Sequence, residues 1–594
     1  MNRKVAIGLV CCALFVAACD TTSPGREQSI AGQARAIDAA AAIPTVPASW
    51  PFPLDQPAAE GEHGMVVADQ PLATEAGLAV LRDGGNAVDA AVATAFALAA
   101  VLPSAGNIGG GGFMVAHIDG QSYALDFRET APAAGSRDMY LDARGETGDR
   151  SVTGHLAAGV PGSVAGLWAA HQKLGSKPWA ELVQPAIRLA EEGFVVDDYA
   201  ATVIKAEAER LRRFPASAAL YTPGGTPLTP GARLKNPDLA RTLRRIAEQG
   251  RDGFYKGETS NLIVGEMKRG RGVITAADLE RYEAKWRTPI AFQYRGHEVI
   301  SMPPPSSGGL TLGLIAGQLS AYDLSAAGWH TAKAVHLMAE SMRRAFAVRN
   351  EVLGDPDFVT FDQAELLSPP FIATLRRSIS EDHATPSKEV SGRPAPVESR
   401  QTTHFSVADS RGNGVALTTT INGWYGSAVT VTGAGFLLNN EMDDFAAKPG
   451  TANMYGLVQG EANAIAPGKR MLSAMTPTIV LGPDRRPMVV TGASGGPFII
   501  TTVFQAISNR LDYGLGVSAL MQAPRLHHQH LPDALRLEKG GFDEAEVREL
   551  QRLGHEVRLF SHPEDGSIGA TIERRDGRWY GQSDPRITGL AKGY

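Results

Sequence analysis

The sequence predicts a mixed α/β (α+β) fold, and three observations predict it. The strand-like run Thr402-Thr403-His404-Phe405-Ser406-Val407-Ala408 meets a polar turn, Asp409-Ser410-Arg411-Gly412-Asn413, and then a second strand-like run from Gly414 to Asn422. β-Formers bounded by turn residues in this way make an antiparallel hairpin. A second hairpin is expected from Gly112 to Ile118 and Ser122 to Phe127, around Asp119-Gly120. Around these lie segments of helical composition and spacing: Pro71 to Arg82, Asn86 to Leu102, Ser163 to Leu174, Trp179 to Gly193, Ala200 to Arg213, Asp238 to Gly250 and Thr331 to Arg349. Ile290 to Ser301 interrupts them as a strand pair.

The chain opens with the basic Asn2-Arg3-Lys4, the short apolar run Val5 to Phe15 and the box Val16-Ala17-Ala18-Cys19. This reads as a bacterial lipoprotein signal peptide over residues 1–18, with Cys19 as the lipidated first mature residue; an ordinary signal peptide cut nearby is the alternative. The protein is then exported, periplasmic and held to the membrane only through its N-terminal lipid. Residues 19–60, rich in Ala, Pro, Ser and Gln, are expected to be a flexible tether. Of three cysteines, Cys11 and Cys12 fall in the removed segment, so no internal disulfide is available and a large core must hold the protein together. With 594 residues and 43% hydrophobic content that core is attainable. A net charge of −6 and the lack of a dense Lys/Arg tract argue against a nucleic-acid partner.

A turn centred near Arg411 places Thr402 opposite Thr420. Thr402 also follows a Pro-, Ser- and charge-rich run from Ala384 to Gln401 that reads as an exposed linker. A threonine at such a junction points to an N-terminal nucleophile unmasked by chain cleavage, because the freed α-amino group, with a pKa of roughly 7.7 to 8.0, serves as its base. Two threonines that merely favour β-structure are the competing reading. Gly109 to Gly112 lack a phosphate-loop pattern and read as close backbone packing. Asp355 and Asp357 read as loop carboxylates, and His527-His528-Gln529-His530 as structural histidines rather than a metal cluster.

The run from Thr402 through Leu438-Asn439-Asn440-Glu441-Met442-Asp443-Asp444-Phe445, Leu472-Ser473-Ala474-Met475 and Thr491-Gly492-Ala493-Ser494-Gly495-Gly496 resembles the γ-glutamyltransferase family in order and spacing. Upstream, Ile108 to Phe113, Asp126-Phe127-Arg128-Glu129 and Pro303 to Gly309 extend the resemblance. It implies a four-layer αββα sandwich of the N-terminal-nucleophile hydrolase type, cut between Gln401 and Thr402 into a large subunit, 61–401, and a small one, 402–594. It further implies that Thr402 attacks the γ-carbonyl of glutathione or another γ-glutamyl compound, with Thr420 orienting its hydroxyl. Gly495 and Gly496 would form the oxyanion hole. Arg128 and Ser473 would face the α-carboxylate, Asn422, Glu441 and Asp444 the α-amino group, and Tyr455 would wall the pocket from a lid loop. The acyl group passes to water or to an amino acid or dipeptide acceptor, with no cofactor and no metal. Two departures stand out: Ser473-Ala474 replaces the usual Ser-Ser, and Pro497-Phe498 follows Gly496. They leave open a glutaryl-cephalosporin-acylase-like amidase of the same fold, and beyond it an inactive lipid-anchored binding protein.

Overall fold

Alternation along Thr402–Ala408 sets the centre of the molecule. Successive side chains of a strand point to opposite faces, so Phe405 and Val407 join a core shared with helices while Ala408 joins the core between two sheets. The computed structural model describes residues 43–390, 402–446, 460–562 and 566–594. Its first sheet runs, edge to edge, Leu590–Gly593, Met65–Ala68, Thr402–Ala408, Gly414–Thr420, Gly111–Ile118, Gln121–Asp126 and Lys285–Arg287. The second runs Ala59–Gly61, Arg578–Ser583, Ile568–Arg575, Pro487–Ser494, Thr478–Leu481, His297–Ser301 and Ile290–Tyr294. Every pairing in both is antiparallel.

The inner faces meet through Val67, Val115 and Ala416 from one sheet and Val490, Ala570 and Ile572 from the other. A polar tie crosses the same gap, for the Ser406 hydroxyl lies 3.0 Å from Ala570 O and 3.2 Å from Val490 O. Helices Pro71–Arg82, Ala87–Val101, Ser163–Leu174 and Trp179–Glu192 cover the outer face of the first sheet. Gly308–Leu319, Ala332–Val352 and Phe498–Leu511 cover that of the second. The expected αββα sandwich is therefore the observed one.

Local chemistry explains the element ends. Asp197 accepts the Ala200 N–H at 2.7 Å, so the helix expected from Ala200 starts two residues earlier, at Asp198. Ala87–Val101 is buried along its whole length, which only small apolar residues permit so close to a second helix. A Cβ on Gly77 would lie 2.2 Å from Thr94 Oγ1. In the central hairpin, Asp409 Oδ1 accepts the N–H groups of Arg411 and Asn413, while its Oδ2 accepts the Ala87 N–H at 3.0 Å. One carboxylate thus closes the turn and ties it to a helix N-terminus.

The expected tether is shorter than 19–60. Trp50 is buried with its indole N–H on Gln522 O at 3.0 Å, Leu54 is buried, and Ala59–Gly61 pairs with Gly581 to Trp579 at a sheet edge. Two large apolar side chains in an otherwise Pro- and Ala-rich stretch outweigh its loop composition, since burying each contributes roughly 1.5–3 kcal/mol. Cys19 and the signal segment lie outside the described residues. Among the described residues no helix is long and apolar enough to cross a membrane.

Candidate active site

The register expected from the turn is present: Thr402 pairs with Thr420, and the pairing continues through Ala408 with Gly414. Directly opposed residues share a face, so both hydroxyls lie on the same side of the hairpin. Thr420 Oγ1 accepts the Asn422 N–H at 2.8 Å. Its carbonyl accepts from the Asn107 side-chain amide at 2.9 Å, and Asn107 Oδ1 in turn accepts from Gly110 N–H and Ser163 Oγ. The glycine run is what lets this happen. A Cβ on Gly110 would lie 2.0 Å from Thr420 O, and one on Gly111 2.6 Å from the Glu129 carboxylate.

Thr402 and Thr420 line one small cavity with Arg128, Glu441, Asp444, Ser473, Ala474, Met475, Gly496 and Ile499. The hairpin Gly111–Ile118 and Gln121–Asp126 delivers Arg128 at its end, fixed by its own N–H on Asp126 Oδ1 at 3.0 Å. The guanidinium is buried. Nη1 donates to Glu441 Oε1, Nη2 to Asp444 Oδ2, and Nε to Met471 O at 3.3 Å. Glu129 stands 3.6 Å from the same Nη1. Three buried carboxylates around one arginine raise one another's proton affinity. Burial pushes Glu129 up to about 8 against the pull of Arg128, and burial likewise raises Glu441 and Asp444.

Ser473 is held from behind by the Pro303 to Gly309 segment. Its carbonyl accepts Ser307 N–H and Ser307 Oγ, each at 2.7 Å, and its N–H donates to Pro305 O. Arg349 reaches Ser307 Oγ at 3.0 Å and brings a second buried positive charge toward Asp444. Gly495 and Gly496 take φ +117° and +59°, conformations that favour glycine. A Cβ on Gly495 would also lie 2.4 Å from Gly566 O. They lead into the helix Phe498–Leu511, whose N-terminus carries the positive end of its dipole toward the cavity. The Pro497-Phe498 departure has a local account: Pro497 is the helix N-cap, where a missing N–H costs little, and Phe498 stacks on His527 at 3.9 Å.

Some expected residues are not brought to this cavity. Asn422 is turned away, its amide donating to Asn440 O at 2.9 Å. Tyr455 and Gln401 lie outside the described residues. The histidines diverge: His527 bonds Thr501 and Gln529, while His530 reaches Ser387 O at 2.9 Å. Asp355 accepts the Arg470 N–H, and Asp357 pairs with Lys285 and Arg287. His336, Glu340 and His555 converge elsewhere, but Glu340 is already neutralised by Arg343 and Arg344, a poor setting for a cation.

Sequence reasoning missed Asn107, Glu129, Arg349 and Asp69. Asp69 follows the strand Met65–Ala68 and accepts the Thr403 hydroxyl at 2.8 Å, one residue from Thr402. Only the signal Met-Val-Val-Ala-Asp, an apolar strand ending on a buried acid, was available for it.

Comparison with known proteins agrees with this geometry. Residues 73–594 match the family model described as gamma-glutamyltranspeptidase. The glutathione hydrolase proenzyme of Escherichia coli (strain K12) is 46% identical over 565 residues, covering 94% of this chain and 97% of that protein. An acylase proenzyme of Pseudomonas sp. (strain SE83) is 37% identical, covering 92% of this chain and 96% of its own length. Among solved structures, a cephalosporin acylase from Bacillus halodurans superposes with a TM-score of 0.81 at 27% identity over 92% of this chain and 99% of that one. Helicobacter pylori gamma-glutamyltranspeptidase gives 0.54 at 43% identity, covering 54% of this chain and 93% of the other. With the family model spanning most of the sequence and a relative of this identity matched over nearly its full length, the chain belongs to the gamma-glutamyltranspeptidase family.

Proposed function

We propose that this protein is a self-processing γ-glutamyltransferase and glutathione hydrolase with Thr402 as its nucleophile. The observation that carries the reading is the cavity in which Thr402 and Thr420 face Arg128, Glu441, Asp444 and Ser473. In maturation the Thr402 hydroxyl attacks the Gln401 carbonyl, and hydrolysis of the resulting ester separates the chain into a large subunit ending at Gln401 and a small one beginning at Thr402. The freed α-amino group then takes the hydroxyl proton as Thr402 attacks a γ-glutamyl amide. Thr420 orients that hydroxyl. The Gly495 and Gly496 N–H groups receive the oxyanion, each such donor being worth roughly 10² to 10³ in rate.

An amino acid head group suits the charges on the donor side. Its α-carboxylate takes the Arg128 fork and the Ser473 hydroxyl, and its α-ammonium takes Glu441 and Asp444. Arg128 pairs with those two carboxylates, so binding exchanges one set of ion pairs for another and the affinity gained is the difference between them. Asn422 acts through Asn440 rather than by contact, and Tyr455 closes the pocket. Export, with lipid on Cys19 tethering a mature heterodimer, completes the reading.

Intact mass and N-terminal sequencing of the purified protein test it, followed by turnover of γ-glutamyl and glutaryl amides. A fragment beginning Thr402-Thr403-His404 and a preference for γ-glutamyl donors are expected. A second reading, a glutaryl amidase, draws on Ala474, which removes one hydroxyl from the carboxylate end, and on the acylase relatives. Preference for glutaryl amides would select it, and an uncut inactive chain would overturn both.

A further inference from the structure

Thr402 borders two cavities. One is the glutamyl pocket; the other is lined by Asp69, Ser104, Tyr199, Trp424 and His562, and Thr402 is the residue common to both. Tyr199 and His562 also line a wider cavity of about 450 Å³, walled by Trp50, Phe52 and Lys539. That volume lies within the range of small-molecule sites. The space beyond Thr402 is therefore continuous from a narrow inner chamber to a broad outer one.

The inner chamber carries little charge. Asp69 is its buried acid, receiving the Thr403 hydroxyl at 2.8 Å, and burial pushes it up to about 7. His562 is pushed down by burial to about 4, which leaves it neutral near pH 7. Trp424 supplies a second, independent observation. Its buried indole N–H faces the Tyr199 hydroxyl yet makes no hydrogen bond of good geometry among the described residues. A buried donor of this kind costs stability unless a ligand satisfies it.

We propose that this chamber is the acceptor site, in which the amine of an amino acid or short peptide sits beside Asp69 with its carbonyl on the Trp424 indole. The proposal rests on the γ-glutamyl transfer reading and assigns the half of the site which that reading leaves empty. The acceptor enters as an ammonium and gives one proton to the Asp69 carboxylate. Its nitrogen lone pair then forms the new C–N bond to the γ-carbonyl, the ester C–O bond to Thr402 breaks, and the amine's second proton goes to the Thr402 oxygen. The products are a γ-glutamyl amide, a free Thr402 hydroxyl and a neutral Asp69, which returns its proton to solvent. The rest of the acceptor extends into the outer cavity, its carboxylate toward Lys539.

Asp69→Asn and Trp424→Phe, each in the full exported chain, test this with a chromogenic γ-glutamyl anilide in the presence and absence of glycylglycine. For Asp69→Asn the acceptor kcat/KM is expected to fall about 10²-fold, as for loss of a proton acceptor, with a far smaller change in hydrolysis. For Trp424→Phe the acceptor KM is expected to rise about tenfold with little change in kcat, as for one lost hydrogen bond. Transfer and hydrolysis falling in step in both variants, or acceptor kinetics unchanged in both, would overturn the proposal while leaving the donor reading intact. An uncut Asp69→Asn chain would reassign Asp69 to maturation. A wild-type protein that turns over glutaryl but not γ-glutamyl amides would overturn the donor reading and this one together.

Discussion

The two sides of Thr402 are built on opposite principles. On the donor side, Arg128 is surrounded by Glu129, Glu441 and Asp444, all buried and ion-paired, so the pocket is a fixed lattice of charges. On the Asp69 side, one buried acid sits among the aromatic rings of Tyr199 and Trp424 and a neutral histidine. A lattice of charges reads a zwitterionic head group atom by atom. A single acid in an apolar chamber reads only an amine, and admits whatever is attached to it.

The change expected to erase the difference is at the shared residue. Thr402→Ala removes the attacking hydroxyl from both stages, so the chain should remain a single species by mass and turnover should drop to background with or without acceptor. A cleaved or active variant would move the nucleophile elsewhere. Next in size is Arg128→Ala. Removing one partner of a buried charge cluster costs about 3–5 kcal/mol, so donor kcat/KM should fall by about 10² to 10³. The acceptor KM, measured with whatever acyl-enzyme still forms, should change little. Equal losses on the two sides would mean that the sides are not independent.

Ala474→Ser sharpens the donor side from the other direction. Ala474 lines the pocket beside Ser473, and a hydroxyl there adds one bond to a charged carboxylate, worth about 1.5 kcal/mol or more where geometry allows. Donor KM for γ-glutamyl amides should fall about tenfold. A variant with unchanged KM would show that position 474 does not reach the carboxylate.

How far the sequence disclosed these two sides follows from how local each signal is. The register of Thr402 and Thr420 was legible because a five-residue turn and a period of two fix it. Arg128 was legible as the end of a hairpin, and the two sheets with their helical covers followed from alternation and helical spacing. The packing of Trp50 and Leu54 was not, because loop composition concealed two anchors whose grooves exist only in the folded small subunit. Glu129 and Arg349 read as ordinary charges until burial placed them beside Arg128 and Asp444. Asp69 and Trp424 are separated by hundreds of residues and carry no spacing signal at all; a cavity has no sequence pattern of its own.

The smallest expected effect is on pH, and it isolates the Asp69 side. Asp69 is raised to about 7 by burial and secondarily by the charge of Asp584, against the hydrogen bonds of Thr403 and the His404 N–H. In the unfolded chain an aspartate titrates near ~3.9, so between about pH 4 and 7 the folded state binds the extra proton. Stability contributed by neutral Asp69 is then fully present below about pH 4 and is lost as pH rises through about 7. Asp69→Asn, which cannot ionise, should show a flatter fall in Tm between pH 5 and 8 than the parent. The same titration should appear in catalysis with the opposite sense, since only ionised Asp69 takes a proton from the acceptor. Hydrolysis and transfer both need the Thr402 amine in its basic form, so that dependence cancels in their ratio. The ratio of transfer to hydrolysis should climb through about pH 7 in the parent and stay level in Asp69→Asn; a parallel climb in both would place the titrating group on the donor side.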